Sequence, residues 1–279
     1  MADYLPFAIR SALDQTYPSI EVLVIDDGST DKTADAVAPY LSDSRVRCYT
    51  QPNGGQAVAK NRGIRESSGE YIAFLDADDL WTADKLEAQM PLFAASPATG
   101  VVYSAFAYID GKGDRLPGTP GTFHRGRVCS HMLISNFVGF GTSVVKRECF
   151  DQLGLFNERL RMGIDYDRWL RFSTRYEFDY VDRVLFYYRD WAGQMSKNWR
   201  SRYLNGIEIM KAFLREHPDA VDKPTIDEAW AHTYTGFGYC ARGSANGRRE
   251  ALQHYMRALS FKPHYYAAWK GIVATILGR

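Results

Sequence analysis

Between Ile20 and Trp81, short β-branched and aromatic runs alternate with helix-forming segments, and this alternation restricts the fold more than any other feature. Residues 20–25 read as a strand closing in Asp26-Asp27-Gly28, after which Ser29, Thr30 or Asp31 caps a helix through Val37 to Leu41. Residues 45–49 read as a further strand. Past Pro52-Asn53-Gly54-Gly55, residues 56–65 read as a helix with the cations Lys60, Arg62 and Arg65, and 70–75 as a buried strand. Helices between successive strands cover a parallel sheet, so an α/β fold with a mostly parallel central sheet flanked by helices is predicted.

The run 70–75 stops abruptly in Asp76-Ala77-Asp78-Asp79. At the carboxyl end of a strand in an open α/β sheet, this is where ligands bind. In an extended segment Asp76 and Asp78 would point to one side, offering hard oxygens to Mg²⁺ or Mn²⁺ that takes its other ligands from water and phosphate. The competing reading is an acidic helix start, with Asp79 or Thr82 as cap and Asp84 in the first turn. Likewise the glycine turn before Gln56 suits a phosphate or nucleotide, or else leads into a solvated basic helix face.

The charge balance excludes general nucleic-acid binding: the net charge is +1 and no long basic run occurs. Cys48, Cys129, Cys149 and Cys240 lack metal-ligand spacing and read as free thiols of a reducing compartment. No apolar run reaches membrane-spanning length and no signal-peptide pattern opens the chain, so a cytoplasmic location is expected. The stretch 271–277, preceded by Tyr265, Tyr266, Trp269 and Lys270, reads either as a terminal helix packed on its neighbour or as peripheral contact with the inner face of a membrane.

The ordered segments Leu5-Pro6, Gln15-Thr16-Tyr17-Pro18, Val24-Ile25-Asp26-Asp27-Gly28-Ser29, Asn53-Gly54-Gly55, Asn61-Arg62-Gly63 and Leu75-Asp76-Ala77-Asp78-Asp79-Leu80-Trp81 resemble the family 2 glycosyltransferases of GT-A fold. The resemblance extends over about residues 4 to 195. It implies that Asp26 and Asp27 contact the base and ribose of a nucleotide-sugar donor, and that Asp76 and Asp78 hold a divalent cation, Mg²⁺ or Mn²⁺, on the donor diphosphate. Lys60 stands where the family commonly has Arg, which implies a weaker donor contact. Asp165-Tyr166-Asp167-Arg168-Trp169-Leu170-Arg171 resembles the family's acceptor-side motif. There Asp165 is expected as general base, with Asp167 as the fallback and a plain helix cap as the competing role of Asp165. Arg189, Gln194 and Ser196 are implied as donor-phosphate contacts in a closing loop that carries Trp191 where the family commonly has His; a plain polar loop is the alternative. Family members usually begin with a strand that this chain starts just after, so an N-terminally incomplete domain with an impaired nucleotide pocket is expected.

Residues 1–199 are assigned to the GT-A domain and 200–279 to a helical annex. In the annex Gly236-x-Gly238-Tyr239-x-Ala241, Ala251, Tyr255, Ala258-Leu259 and Pro263 resemble one degenerate tetratricopeptide hairpin. The function implied is inverting, metal-dependent transfer of a sugar from a nucleotide-diphosphate donor, expected to be a UDP-sugar, to a hydroxyl of a saccharide or lipid-linked acceptor. Two alternatives are a non-catalytic scaffold of an envelope-polysaccharide assembly and a sugar nucleotidyltransferase. The latter usually carries a glycine-rich basic loop that is not found here.

Overall fold

The computed structural model describes residues 1–118, 121–244 and 247–278. In chain order they form α1 (Leu5–Leu13), β1 (Val22–Asp26), α2 (Thr33–Val37), β2 (Val46–Thr50), α3 (Gln56–Glu66), β3 (Tyr71–Ala73), β4 (Leu80–Trp81), α4 (Lys85–Ala95) and β5 (Thr99–Ile109). There follow α5 (Cys129–Ile134), β6 (Val144–Lys146), α6 (Arg147–Leu153), α7 (Ile164–Ser173), β7 (Glu177–Arg189), α8 (Trp199–Glu216), α9 (Lys223–Arg242), α10 (Arg248–Phe261) and α11 (Tyr266–Ile276). They divide into two compact units, Met1–Arg127 with Phe137–Gln194, and Val128–Asn136 with Met195–Arg279.

The first unit is α/β. Strands β1 and β2 form a parallel pair, in register from Val22 opposite Val46 to Asp26 opposite Thr50. The remaining strands make a five-stranded sheet in the order β3-β6-β5-β7-β4. Here the expectation of a mostly parallel central sheet is corrected, since only β5 and β7 pair in parallel while the other three pairings are antiparallel. The short acidic segment 74–79 joins β3 to β4, the two edges of the sheet.

The core lies along β5, where Val101, Val102 and Tyr103 are buried without residual exposure, as are Val145 of β6 and Leu185 of β7. Helix α4 is fixed to this core through polar groups. Buried Gln89 donates from Nε2 to the carbonyls of Val102 (3.0 Å) and Thr142 (2.9 Å) and accepts from the Lys85 ammonium (2.7 Å). Lys85 is itself enclosed, with its Nζ 4.6 Å from the centre of the Trp81 ring.

In the second unit α5 packs on α9, α9 forms a hairpin with α10, and α11 adds to both. Ala251, Tyr255, Ala258 and Leu259, spaced on one helical face, are buried with Tyr234, Phe237, Ala241 and Ala268. The unit begins at Met195 and takes in Val128–Asn136, whose Met132 and Leu133 are buried. All four cysteines are free, with Cys149 buried and the other three half-buried. Among the described residues no helix is long and apolar enough to cross a membrane.

Candidate active site

The acidic segment is a turn rather than the end of a strand. Strand β3 stops at Ala73, Phe74 packs on Phe140 (4.7 Å, stacked) and Phe156 (5.4 Å), and the Asp79 amide then closes onto the Asp76 carbonyl at 3.0 Å. The common orientation of Asp76 and Asp78 therefore cannot follow from strand alternation, and neither Asp79 nor Thr82 caps α4, whose N-cap is Asp84. The end of β7 pins the turn: the Arg189 amide donates to Asp79 Oδ1 (2.8 Å) and its Nε to the Asp78 carbonyl (2.7 Å). Asp79 is 2% exposed. Burial, reinforced by the charge of Asp76 and opposed by the bond from the Arg189 amide, pushes its carboxyl up to about 8. Burial thus favours the neutral form of Asp79, which supports the turn.

Each of those two is held by one donor. Lys60, on α3, donates to Asp76 Oδ1 at 2.8 Å, its ammonium lying over the Phe140 ring at 4.6 Å. The indole Nε1 of Trp191 donates to Asp78 Oδ2 at 2.8 Å. Both carboxylates keep their second oxygen outside these bonds. Among the described residues no group of three or more His, Cys, Asp and Glu is placed to hold a metal alone. Two hard oxygens in an acid-rich turn fit a Mg²⁺ or Mn²⁺ that retains water and shares a diphosphate, and do not fit a closed protein cage.

The first acidic pair is divided in role. Asp26, ending β1, accepts from the Ser29 amide (2.8 Å). Asp27 accepts from Gln51 Nε2 (2.7 Å) and from the amides of Gly54 (2.9 Å) and Gly55 (2.7 Å), while its carbonyl accepts from Asn53 Nδ2 (2.9 Å). Its carboxylate thus holds the turn that opens α3, as the Asp26 carboxylate holds the turn at Ser29. Gly28, at φ 77°, lets the two turns meet, since a Cβ there would lie 2.8 Å from the Asn53 nitrogen. A cleft of about 390 Å³ opens beside them, lined by Met1, Asn53 and the turn from Asp27 to Asp31.

Helix α3 connects the two acidic sites. Its entry is held by Asp27 and its fifth residue holds Asp76, a separation of roughly 6 to 8 Å along the axis at about 1.5 Å per residue. One residue beyond Lys60 it also reaches the segment that precedes α7. Asn61 donates from Nδ2 to the Phe156 carbonyl (2.9 Å) and Glu158 Oε1 (2.8 Å), and its Oδ1 accepts from the Phe156 amide (2.9 Å).

On α7, Asp165 lies half-buried in the first turn, after the N-cap Gly163. Asp167 is buried and ion-paired to Arg168 (3.0 Å) and Arg171 (3.1 Å), which leaves Asp165 the more exposed of the two acids. Trp169 anchors the helix by donating to the Val138 carbonyl (3.2 Å), with its ring 6.2 Å from Phe140. Phe140 therefore touches the acid turn, Lys60 and α7 together.

Arg189 is buried, its guanidinium donates to the carbonyls of Asp78 (2.7 Å) and Asp110 (2.9 Å), and it lies 4.6 Å over the Tyr4 ring, so it positions the acid turn. Gln194 turns back to donate to the Arg189 carbonyl and accepts from the Trp191 amide (3.3 Å), which closes the local loop and opposes its reading as a phosphate contact. Ser196 falls in the second unit, on an exposed turn of 3-10 helix. Phe140, Asn61 and Trp191 were not assigned from sequence as the supports of this site. An aromatic in a Gly-Phe-Gly segment and an indole in a glycine-bearing loop were the available signals.

The family model described as glycosyl transferase family 2 matches residues 2–154. An uncharacterized glycosyltransferase of Rickettsia felis is 30% identical over 213 residues, covering 76% of this chain and 35% of that protein. The chain thus spans about a third of the length of that relative. TuaG of Bacillus subtilis, a glycosyltransferase assigned to teichuronic acid biosynthesis, is 31% identical over 240 residues, covering 79% of this chain and 92% of TuaG. Among solved structures, residues 1–349 of TarS from S. aureus with UDP-GlcNAc give a TM-score of 0.60 at 16% identity, covering 99% of this chain and 89% of that one. The mannosyltransferase PcManGT of Pyrobaculum calidifontis, with GDP-Man and Mn²⁺, gives 0.57 at 20% identity, covering 99% and 82%. The fold is that of the GT-A glycosyltransferases.

Proposed function

The chain belongs to glycosyl transferase family 2, and from that premise we propose that it is an inverting, metal-dependent glycosyltransferase that passes a sugar from a nucleoside-diphosphate donor to a hydroxyl of an envelope saccharide or lipid-linked acceptor. The acid turn carries this reading: Lys60 and Trp191 orient Asp76 and Asp78, and each acid retains an oxygen for a hard cation. A bound Mg²⁺ or Mn²⁺ would supply positive charge to the leaving diphosphate. Asp26 and Asp27 receive the nucleoside at the end of β1, where Asp27 lines the cleft. Asp165 takes the proton of the acceptor hydroxyl as that oxygen bonds to the anomeric carbon and the bond from this carbon to the diphosphate breaks. Phe140 and Asn61 keep α7 and the acid turn in fixed relation, so the base and the leaving group are held on one frame. The UDP-GlcNAc complex of TarS supports a UDP-sugar as donor, the Mn²⁺ complex of PcManGT supports the metal, and the role of TuaG supports an envelope acceptor.

Calorimetric titration of UDP with and without Mn²⁺ tests the reading, alongside a donor-hydrolysis screen. Asp78→Asn is expected to abolish metal-dependent binding and hydrolysis while leaving the circular-dichroism spectrum intact. Asp165→Asn is expected to spare binding and lose transfer. Metal-independent behaviour in the parent chain would leave the scaffold alternative standing, and pyrophosphate release from a nucleoside triphosphate would favour a nucleotidyltransferase.

A further inference from the structure

Helix α11 presents an apolar face to solvent. Its buried side is made of small residues, Ala268, Gly271 and Thr275. Opposite them, Tyr266 (78% exposed), Trp269, Val273 and Ile276 (67%) follow one another at helical spacing, and Leu277 extends the stripe. Single exposed apolar residues are ordinary, but a row of five along one helix is not. The helix has 11 residues, about 16 Å at 1.5 Å per residue, which is half of what a span requires. It can lie on a bilayer but cannot cross one.

The surrounding charge names the occupant. From Arg242 to Arg279 the sequence has seven Lys and Arg and a single acidic residue, Glu250, in a chain whose net charge is +1. Glu250 is itself bonded through both oxygens to Arg200. Lys270 lies within the apolar row and is exposed. A second copy docking on this face would bring like charge against like charge. An anionic lipid surface offers hydrocarbon to the stripe and phosphate to the cations. We propose that α11 seats the C-terminal unit on an anionic bilayer, with Tyr266 and Trp269 at headgroup level and Val273, Ile276 and Leu277 in the upper acyl region. This inference is independent of the catalytic reading, because it is measured without donor or metal.

The test is co-sedimentation of the full chain with phosphatidylcholine vesicles, with and without phosphatidylglycerol, at low and high salt. The expected result is binding to the anionic vesicles, weakened by salt and at least about tenfold weaker on neutral ones. Tyr266→Ser with Ile276→Ser changes two exposed positions and is expected to lower vesicle partitioning by about tenfold or more with an unchanged thermal melt. Lys270→Glu is expected to reduce the preference for anionic lipid. Failure of the parent chain to bind, or undiminished binding by the double variant, overturns the proposal. So does a parent chain that forms dimers, ignores vesicles and becomes monomeric in the double variant, since the face would then receive a second copy.

Discussion

Asn61→Ala tests whether α3 is the part that holds the site together. The Asn61 side chain is 1% exposed and makes a reciprocal pair of hydrogen bonds with the backbone of Phe156, which is itself 3% exposed. Truncation leaves a buried N–H and a buried C=O without their partner. Each orphaned group costs about 1 to 3 kcal/mol, and water entering the space left by the carboxamide recovers part of it, so the expected loss is about 3 kcal/mol. At roughly 2 to 4 °C per kcal/mol for a domain of this size, the melting temperature should fall by about 6 to 12 °C. Urea denaturation gives the free energy directly. Asn157→Ala is the control, since the Asn157 side chain accepts from the exposed Arg159 amide and its loss should change stability by less than about 0.5 kcal/mol. Because the Phe156 ring packs on both Phe74 and Phe140, metal-dependent UDP binding should weaken in the same variant. A loss below about 1 kcal/mol would refute the claim that this bond pair ties α3 to the acceptor side.

Trp191→Phe keeps the ring beside Tyr4 and removes only the N–H that orients Asp78. Mn²⁺-dependent UDP binding should weaken about 10- to 100-fold by titration with little change in melting, and unchanged affinity would show that Asp78 needs no such support. In the second unit, a Cβ on Gly271 would lie 2.4 Å from the buried Tyr255 ring; Gly271→Ala should destabilise that unit by about 1 to 3 kcal/mol, read by hydrogen exchange in α10 and α11. Burial pushes the Lys85 ammonium down to about 7 from 10.5. Between those pH values the unfolded chain holds a proton that the folded chain lacks, so stability rises with pH through that window. Lys85→Met should flatten the rise in urea midpoints from pH 7 to 10, and an identical slope in both proteins would exclude Lys85 as its source.

Much of this architecture is legible in the order of the residues. Runs such as 22–25 and 101–109 declare strands by local composition, and the acids at 26–27 and 76–79 stand out because carboxylates rarely close an apolar run without a purpose. Pairing direction is not legible in the same way. Whether β6 runs with or against β5 depends on the path of the intervening chain, and Val144-Val145-Lys146 reads alike in both directions.

The same limit separates the acids and bases of the site. Asp26 and Asp27 are chemically identical neighbours, yet one bonds the nearby Ser29 amide and the other the amides of Gly54 and Gly55, which lie far along the chain. That Arg189 braces the carbonyls of Asp78 and Asp110 is likewise invisible in its place in the chain. Asp79 looks like a third charged oxygen until burial beside Asp76 makes the neutral form the stable one. Residue type and spacing determined by themselves the class of fold, the family and the acids that such chemistry needs. The tertiary structure decided which of those groups are already bonded, because a hydrogen bond's partner and a carboxyl's desolvation are set by chain segments that are distant in sequence.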